Sequence, residues 1–361
     1  MKKPQHLLIG TRKGLVVYTL DNEHWNYLNT YFPGIPVSMT YADHRNHTWW
    51  VCLDHGHWGV KLHQSKDQGN NWREIEAPKF PDGALVKSDQ PASVNYIWAM
   101  TGGGKDQPEV LHIGTDPGGL FTSTDYGETW ELNQSLWDHP TRENNWFGGG
   151  RDLPGIHSIV IDPRDSKHIQ VGISVAGVFK TTDGGSSWHP ANSGLTADFL
   201  PDPNAAVGQD PHLLVQSQSN PDVLWQQNHC GIFISKNASS SWEKVSQPEG
   251  PADFGFAIAV DEDNPNIAWV IPGQSDQIRM PIDLALCVCK TINGGKTWDV
   301  ITEGLPQDNC HDIVYRHSLA NYHQHLVFGT TTGNVFYSSD HGHSWKVLTN
   351  YLSMVYSIEL A

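Results

Sequence analysis

The chain is short of basic residues, of cysteine and of long apolar runs. Its 361 residues hold 23 Lys and Arg against 39 Asp and Glu, a formal charge of −16. A nucleic-acid partner calls for a basic footprint, and an anionic membrane surface disfavours an acidic chain. No apolar stretch approaches the ~20 residues of a membrane-crossing helix. The opening MKKPQHLLIG has two lysines but no apolar core behind them, so no secretory leader is expected. The five cysteines (Cys52, Cys230, Cys287, Cys289 and Cys310) are too few, and odd in number, for a disulfide framework. These absences predict a soluble, cytoplasmic protein with neither a nucleic-acid nor a membrane partner. What is plentiful is Gly (34), Trp (15) and His (20).

The glycines and tryptophans fall into a repeat. Ser/Thr-x-Asp-x-Gly-x-x-Trp reads SKDQGNNW at Ser65–Trp72, STDYGETW at Ser123–Trp130, TTDGGSSW at Thr181–Trp188 and SSDHGHSW at Ser338–Trp345. TINGGKTW at Thr291–Trp298 has Asn for Asp, SKNASSSW at Ser235–Trp242 also lacks the Gly, and TLDNEHW at Thr19–Trp25 is a weaker echo. The seven tryptophans stand 47, 58, 58, 54, 56 and 47 residues apart. In such a motif the hydroxyl and carboxylate accept turn amides, and Gly supplies a left-handed position. The Trp opens a strand and buries a large face between sheets.

Three short apolar strands precede each motif and one follows it. HSIVID, HIQVGI and AGVFKTT lead to TTDGGSSW, and HDIVYR, HLVFGT and GNVFYS lead to SSDHGHSW. Each repeat is thus a four-stranded antiparallel sheet, A-B-C-D, one blade of a propeller. The expected blades are 33–76, 93–133, 155–191, 211–246, 254–302, 310–349, and a seventh that joins 353–361 to 5–29. The fold class is all-β: a seven-bladed β-propeller forming one domain over 1–361. The motif turns mark its bottom face, and the closing blade is built from both chain termini, which leaves no open edge.

The repeats are Asp boxes, and the chain resembles the BNR-repeat β-propellers, a group of sialidases, xyloglucanase-type glycosidases, sortilin-like receptors and a photosystem II assembly factor. TRKGL at Thr11–Leu15, HPTR at His139–Arg142, GIHSIVIDPRD at Gly155–Asp165, QQNHCGIF at Gln226–Phe233, DFGF at Asp253–Phe256 and GTTTGNVF at Gly329–Phe336 are similar to a bacterial BNR-like family often labelled exo-α-sialidase. Asp boxes are informative about fold and nearly silent about function.

The top face, opposite the Asp boxes, carries the B–C loops and the entries to strand A. Long connections over 74–93, 132–155, 190–210 and 272–285 gather there, as on a binding surface. His157 and His311 occupy equivalent slots in HSIVI and HDIVY, with Asn95, His212 and Tyr356 at corresponding places. The loops add Arg12, Lys13, His55, His57, Trp58, Asp116, Glu143, Arg151, Asn228, His229 and Arg279. A pocket at the top of the central channel is expected to take a small polar or anionic ligand. His157, His229, His311, Glu143 and Asp116 are the catalytic candidates, and the others are the substrate-binding ones.

Three chemistries fit. A sialidase-like site would grip a carboxylate with several of Arg12, Arg142, Arg151 and Arg279, with Glu143 and Tyr96 or Tyr356 as a nucleophile pair. PGIPVS at Pro33–Ser38 lacks the arginine that true sialidases carry in this motif. A hydrolase or lyase could use a divalent transition metal on His157, His212, His229 and His311, with Gln227 or Asp210. HGH at His55–His57 faces one way only if extended. A non-catalytic ligand-binding or assembly propeller, with a protein partner, is the third reading.

Overall fold

The computed structural model describes residues 4–87 and 89–361. Seven four-stranded antiparallel sheets follow one another along the chain, the arrangement of a seven-bladed β-propeller. The first six run Val37–Asp43 to Arg73–Ile75, Tyr96–Gly102 to Glu131–Leu132, Ile156–Ile161 to His189–Pro190, Pro211–Gln216 to Glu243–Lys244, Gly255–Val260 to Asp299–Ile301, and Leu319–Tyr322 to Lys346–Thr349. Two compact units result. Of the described residues, one holds 4–40 and 215–361, the other 41–87 and 89–214.

In the first unit the last strand, Val355–Leu360, pairs antiparallel with His6–Thr11, with Leu7 opposite Leu360 and Ile9 opposite Ile358. That strand continues into Gly14–Asp21 and His24–Tyr31, so both termini build one sheet. Leu7, Ile9 and Val16 of this sheet pack with Val327, Val335 and Val355. A second cluster sets Trp269, Val288 and Leu326 against Phe328 and Trp345. In the other unit Ile156, Val171, Phe179 and Trp188 pack with Leu120, Leu136 and Trp146. At roughly 1.5–3 kcal/mol for each large side chain removed from water, these inter-sheet clusters are the main stabilising term.

The Asp boxes form as their chemistry dictates. In the second sheet Ser123 Oγ donates to Asp125 Oδ1 (2.7 Å) and accepts from Gly127 N (2.8 Å). Asp125 also accepts from the Thr129 amide (2.9 Å) and hydroxyl (2.6 Å). The backbone bond recurs at Asp67, Asp183 and Asp340, and Asn293 and Asn237 accept it with an amide oxygen while their Nδ2 donates to the Thr297 and Ser241 hydroxyls. Two consecutive residues are left-handed in each box, as at Tyr126 (φ 61°) and Gly127 (φ 85°). In SKNASSSW, Ala238 (φ 51°) and Ser239 (φ 60°) carry that conformation without glycine. At Thr19–Trp25 the box shrinks to a two-residue turn, with Asn22 and Glu23 left-handed and Asp21 opposite His24.

Three expectations are corrected. HDIVYR is not the first strand of the sixth sheet, which is Leu319–Tyr322. The segment before it is drawn to the closing strand, since Ile358 N donates to His317 O (2.7 Å) and His317 bridges Ser357. The 132–155 connection is not irregular throughout. It contains helical turns at Gln134–Trp137 and Arg142–Asn145. HGH is not extended, because Gly56–Trp58 is a 3-10 turn. Among the described residues no helix is long and apolar enough to cross a membrane.

Candidate functional site

In every complete sheet the B–C turn lies at the end opposite the Asp box. In unit 1 the fourth and fifth sheets and the irregular segment before the sixth bring aromatic and charged side chains together. Phe256, near the start of Gly255–Val260, meets Phe254 at 5.3 Å and Tyr315 at 5.4 Å, both edge-on. Two guanidiniums share the Phe256 ring, with Arg279 Cζ and Arg316 Cζ each 5.4 Å from its centroid. Arg279 is exposed on the 272–285 loop and fixed by Nε donating to the Asp276 carbonyl (3.1 Å). Arg316 is buried.

His229 stands at the B–C turn of the fourth sheet, between Leu224–Asn228 and Gly231–Ser235. Its ring is 5.9 Å from Phe254, and its Nε2 lies 4.0 Å from Asp276 Oδ2. The turn beneath it is held by side-chain amides. Asn228 Nδ2 donates to Gln226 Oε1 (2.7 Å), Asn228 Oδ1 accepts from Cys230 N (2.9 Å), and Gln227 Nε2 donates to Asp253 O (2.8 Å). All three amides are buried, so they position the His229 turn rather than meet a ligand.

Unit 2 has a separate cluster. Arg151 pairs with Asp116 and lies 4.4 Å from the Tyr96 ring and 6.0 Å from the Trp98 ring. Trp98 meets His157 edge-on at 5.7 Å. His157 is fully buried, with Nδ1 2.9 Å from Ser158 Oγ. Asp116 is buried, its Oδ1 has no hydrogen-bond partner among the described residues, and burial raises its pKa against the lowering effect of Arg151. Further along, Asp210 Oδ2 lies 3.6 Å from His212 Nε2, and Asp210 Oδ1 accepts from Val175 N (3.0 Å).

The remaining candidates are scattered. Arg12 and Lys13 are exposed in the turn after His6–Thr11, and Tyr356 is half-buried on the closing strand. His55 is half-buried, while His57 and Trp58 are exposed and pack on each other at 5.2 Å. Asn95 is exposed just before Tyr96–Gly102, and Glu143 is exposed in the first turn of Arg142–Asn145. His311 is exposed on an irregular segment, so its slot is not the equivalent of buried His157. Arg142 is spent on structure. Its guanidinium donates to the carbonyls of Trp137, Val86 and Leu85 and covers the Trp137 ring at 3.9 Å.

Arg316, Tyr315, Phe254 and Asp276 did not stand out in the sequence. DFGF, with two aromatics two residues apart at a strand entry, was the available signal, since it sets both rings on one side.

The BNR/Asp-box repeat family matches residues 121–132. Xyloglucanase Xgh74A of Acetivibrio thermocellus is 27% identical over 264 residues, covering 66% of this chain and 28% of that enzyme. The oligoxyloglucan-reducing end-specific xyloglucanase of Emericella nidulans is 24% identical, covering 54% of this chain and 26% of its own length. The chain therefore spans a minor part of the curated relatives it matches. Among solved structures, the GH74 enzyme of Niastella koreensis superposes with a TM-score of 0.55 at 15% identity, over 99% of this chain and 68% of that one. YCF48 from Cyanidioschyzon merolae does so at 0.56 and 15%, over 91% and 89%. At such identities the likeness is one of fold.

Proposed function

Because the chain is an Asp-box (BNR) repeat β-propeller with xyloglucanases among its curated relatives, we propose that it is a carbohydrate-active propeller. The proposed activity is that of a hydrolase or lyase for a small, anionic, carbohydrate-derived molecule, bound at the sheet ends opposite the Asp boxes. The observation that carries this reading is the pair of guanidiniums at one aromatic ring, Arg279 and Arg316 on Phe256. Planar guanidinium forks suit a carboxylate, which accepts bidentate bonds, and two of them lie within 5.4 Å of one ring centroid.

The neighbouring groups favour the lyase branch. Glycoside hydrolysis ordinarily needs two carboxylates flanking the bond, and of the two nearby here Asp276 stands by His229 while Asp253 is held by Ser246 and Lys244. Elimination from a uronic acid needs a held carboxylate and a base. Arg279 and Arg316 would stabilise the charge that builds on the carboxylate as the adjacent C–H is deprotonated. His229, whose Nε2 lies 4.0 Å from Asp276 Oδ2, would take that proton. The C–H electron pair would form the carbon–carbon double bond, the neighbouring C–O bond would break, and the departing sugar oxygen would take a proton from water or from the protonated His229.

The test is product analysis on acidic and neutral oligosaccharides. Ultraviolet absorbance of an unsaturated uronate reports elimination, and new reducing ends without it report hydrolysis. His229→Ala should abolish turnover while the acidic oligosaccharide still binds. A wild-type protein inert toward every acidic and neutral oligosaccharide would sink the catalytic reading and leave the non-catalytic binding or assembly propeller in its place.

A further inference from the structure

A cavity of about 340 Å³ in unit 1 shares no residue with the Phe256 cluster. It lies between the last strand of the fourth sheet, Glu243–Lys244, and the Asp-box turn and Trp298 of the fifth. The volume is at the small end for ligand sites and fits one substituted sugar ring.

Its walls have a definite chemistry. Trp298 is half-buried, and its Nε1 already donates to the Val245 carbonyl (3.2 Å), so the indole offers its apolar face. At Gly295 (φ 83°) a Cβ would come within 2.6 Å of Val245, so one wall is bare backbone held close. Three lysines, Lys236, Lys244 and Lys296, line the cavity against a single glutamate. Lys236 is 3.4 Å from Glu243 and Lys244 is 3.7 Å from Asp253, while Lys296 has no ion pair among the described residues. Two of the three lysines are thus offset and Lys296 keeps an uncompensated positive charge, in a chain of formal charge −16.

An ammonium is a compact point charge that serves a tetrahedral oxyanion without demanding the planar match an arginine fork makes. An indole face suits the C–H face of a pyranose. We infer that this cavity is a second binding site, for a sugar bearing a phosphate or sulfate ester. The ester group meets the lysines and the ring lies against Trp298.

Calorimetric titration of the full chain tests this with glucose 6-phosphate, glucose 6-sulfate, glucose and inorganic phosphate. The esters should bind at least about tenfold more tightly than glucose or phosphate, and more weakly as salt is raised. Binding of only one ester upholds the site and identifies which ester it takes. Lys236→Gln with Lys296→Gln should weaken ester binding about tenfold and leave the unfolding midpoint unchanged. Arg279→Ala should leave ester binding unaltered, which keeps this site separate from the one at Phe256. Ester binding no tighter than that of phosphate, unaffected by the lysine changes, or abolished by Arg279→Ala would overturn the inference.

Discussion

His112 should make the protein's stability fall as the pH is lowered from 6.5 to about 4. It sits in the Leu111–Asp116 strand of the second sheet, 4% exposed, with Nδ1 3.0 Å from Thr122 Oγ1. Burial, and then the charge of Arg45, hold its pKa down to about 4. Arg45 cannot turn away, because Asp43 and the carbonyls of Gly103, Gln107 and Val110 fix its guanidinium. Above pH 6.5 the imidazole is neutral folded and unfolded, and it contributes no pH dependence. Below 6.5 the unfolded chain takes up a proton that the folded chain refuses, so stability drops until the folded group titrates as well. The interval between 6.5 and about 4 corresponds to about 3 kcal/mol. Urea unfolding of wild type and His112→Gln across this range measures it. The variant should start less stable at pH 7.5 through its altered packing, then close on the wild type and overtake it as the pH approaches 4.5. Parallel stability curves for the two proteins would show instead that His112 takes up its proton as readily folded as unfolded.

Deleting Val355–Leu360 should strip the strand that pairs with His6–Thr11 and expose Leu7 and Ile9, giving insoluble protein. A truncated chain melting cooperatively near the wild-type temperature would show that the closing sheet does not need both termini. Asp125→Ala removes the bonds from Ser123 and Thr129 that lower this carboxyl's pKa to about 2. It should cost about 1 kcal/mol in denaturant unfolding and leave acidic-oligosaccharide binding untouched, because Asp125 is in the Asp-box turn of the second sheet and bonds to Ser123 and Thr129, outside the Phe256 cluster. Ala238→Gly should stabilise the protein by about 1 kcal/mol by relieving a left-handed alanine. An unchanged or lower urea midpoint would contradict that.

The parts of the fold legible in the sequence are those fixed by bonds between near neighbours. Asp125 meets Ser123 and Thr129 within one turn, so the Asp box reads directly as S-x-D-x-G-x-x-W. The closing sheet was legible because the chain starts on a B-type strand and ends on an A-type one. HDIVYR misled because its alternation is that of a strand, while its long-range backbone bond among the described residues is a single one, Ile313 O accepting from Thr331 N (2.9 Å), too little to make a ladder. Arg142 read as a binding residue because its loop is long. In fact it ties three carbonyls, and Trp146 of the same loop packs on Phe179 at 5.0 Å. The Phe256 cluster was half visible. His229 and Arg279 were marked by their loops, but Arg316 was hidden within an apparent strand, and its nearness to Phe256 is a tertiary fact.

The central claim is that Arg279 and Arg316 form a carboxylate grip beside His229. Calorimetry with a galacturonate oligosaccharide and a neutral xyloglucan oligosaccharide of equal length tests it most directly, on wild type and Arg279→Ala. Arg279 is exposed, so its loss should spare the fold, and circular dichroism melting checks that it does. The account predicts that the wild type prefers the acidic ligand, and that Arg279→Ala weakens acidic binding by about 1.5–3 kcal/mol, roughly ten- to a hundredfold, with little change for the neutral one. Equal losses for both ligands, or undiminished acidic binding by a folded Arg279→Ala protein, would contradict it.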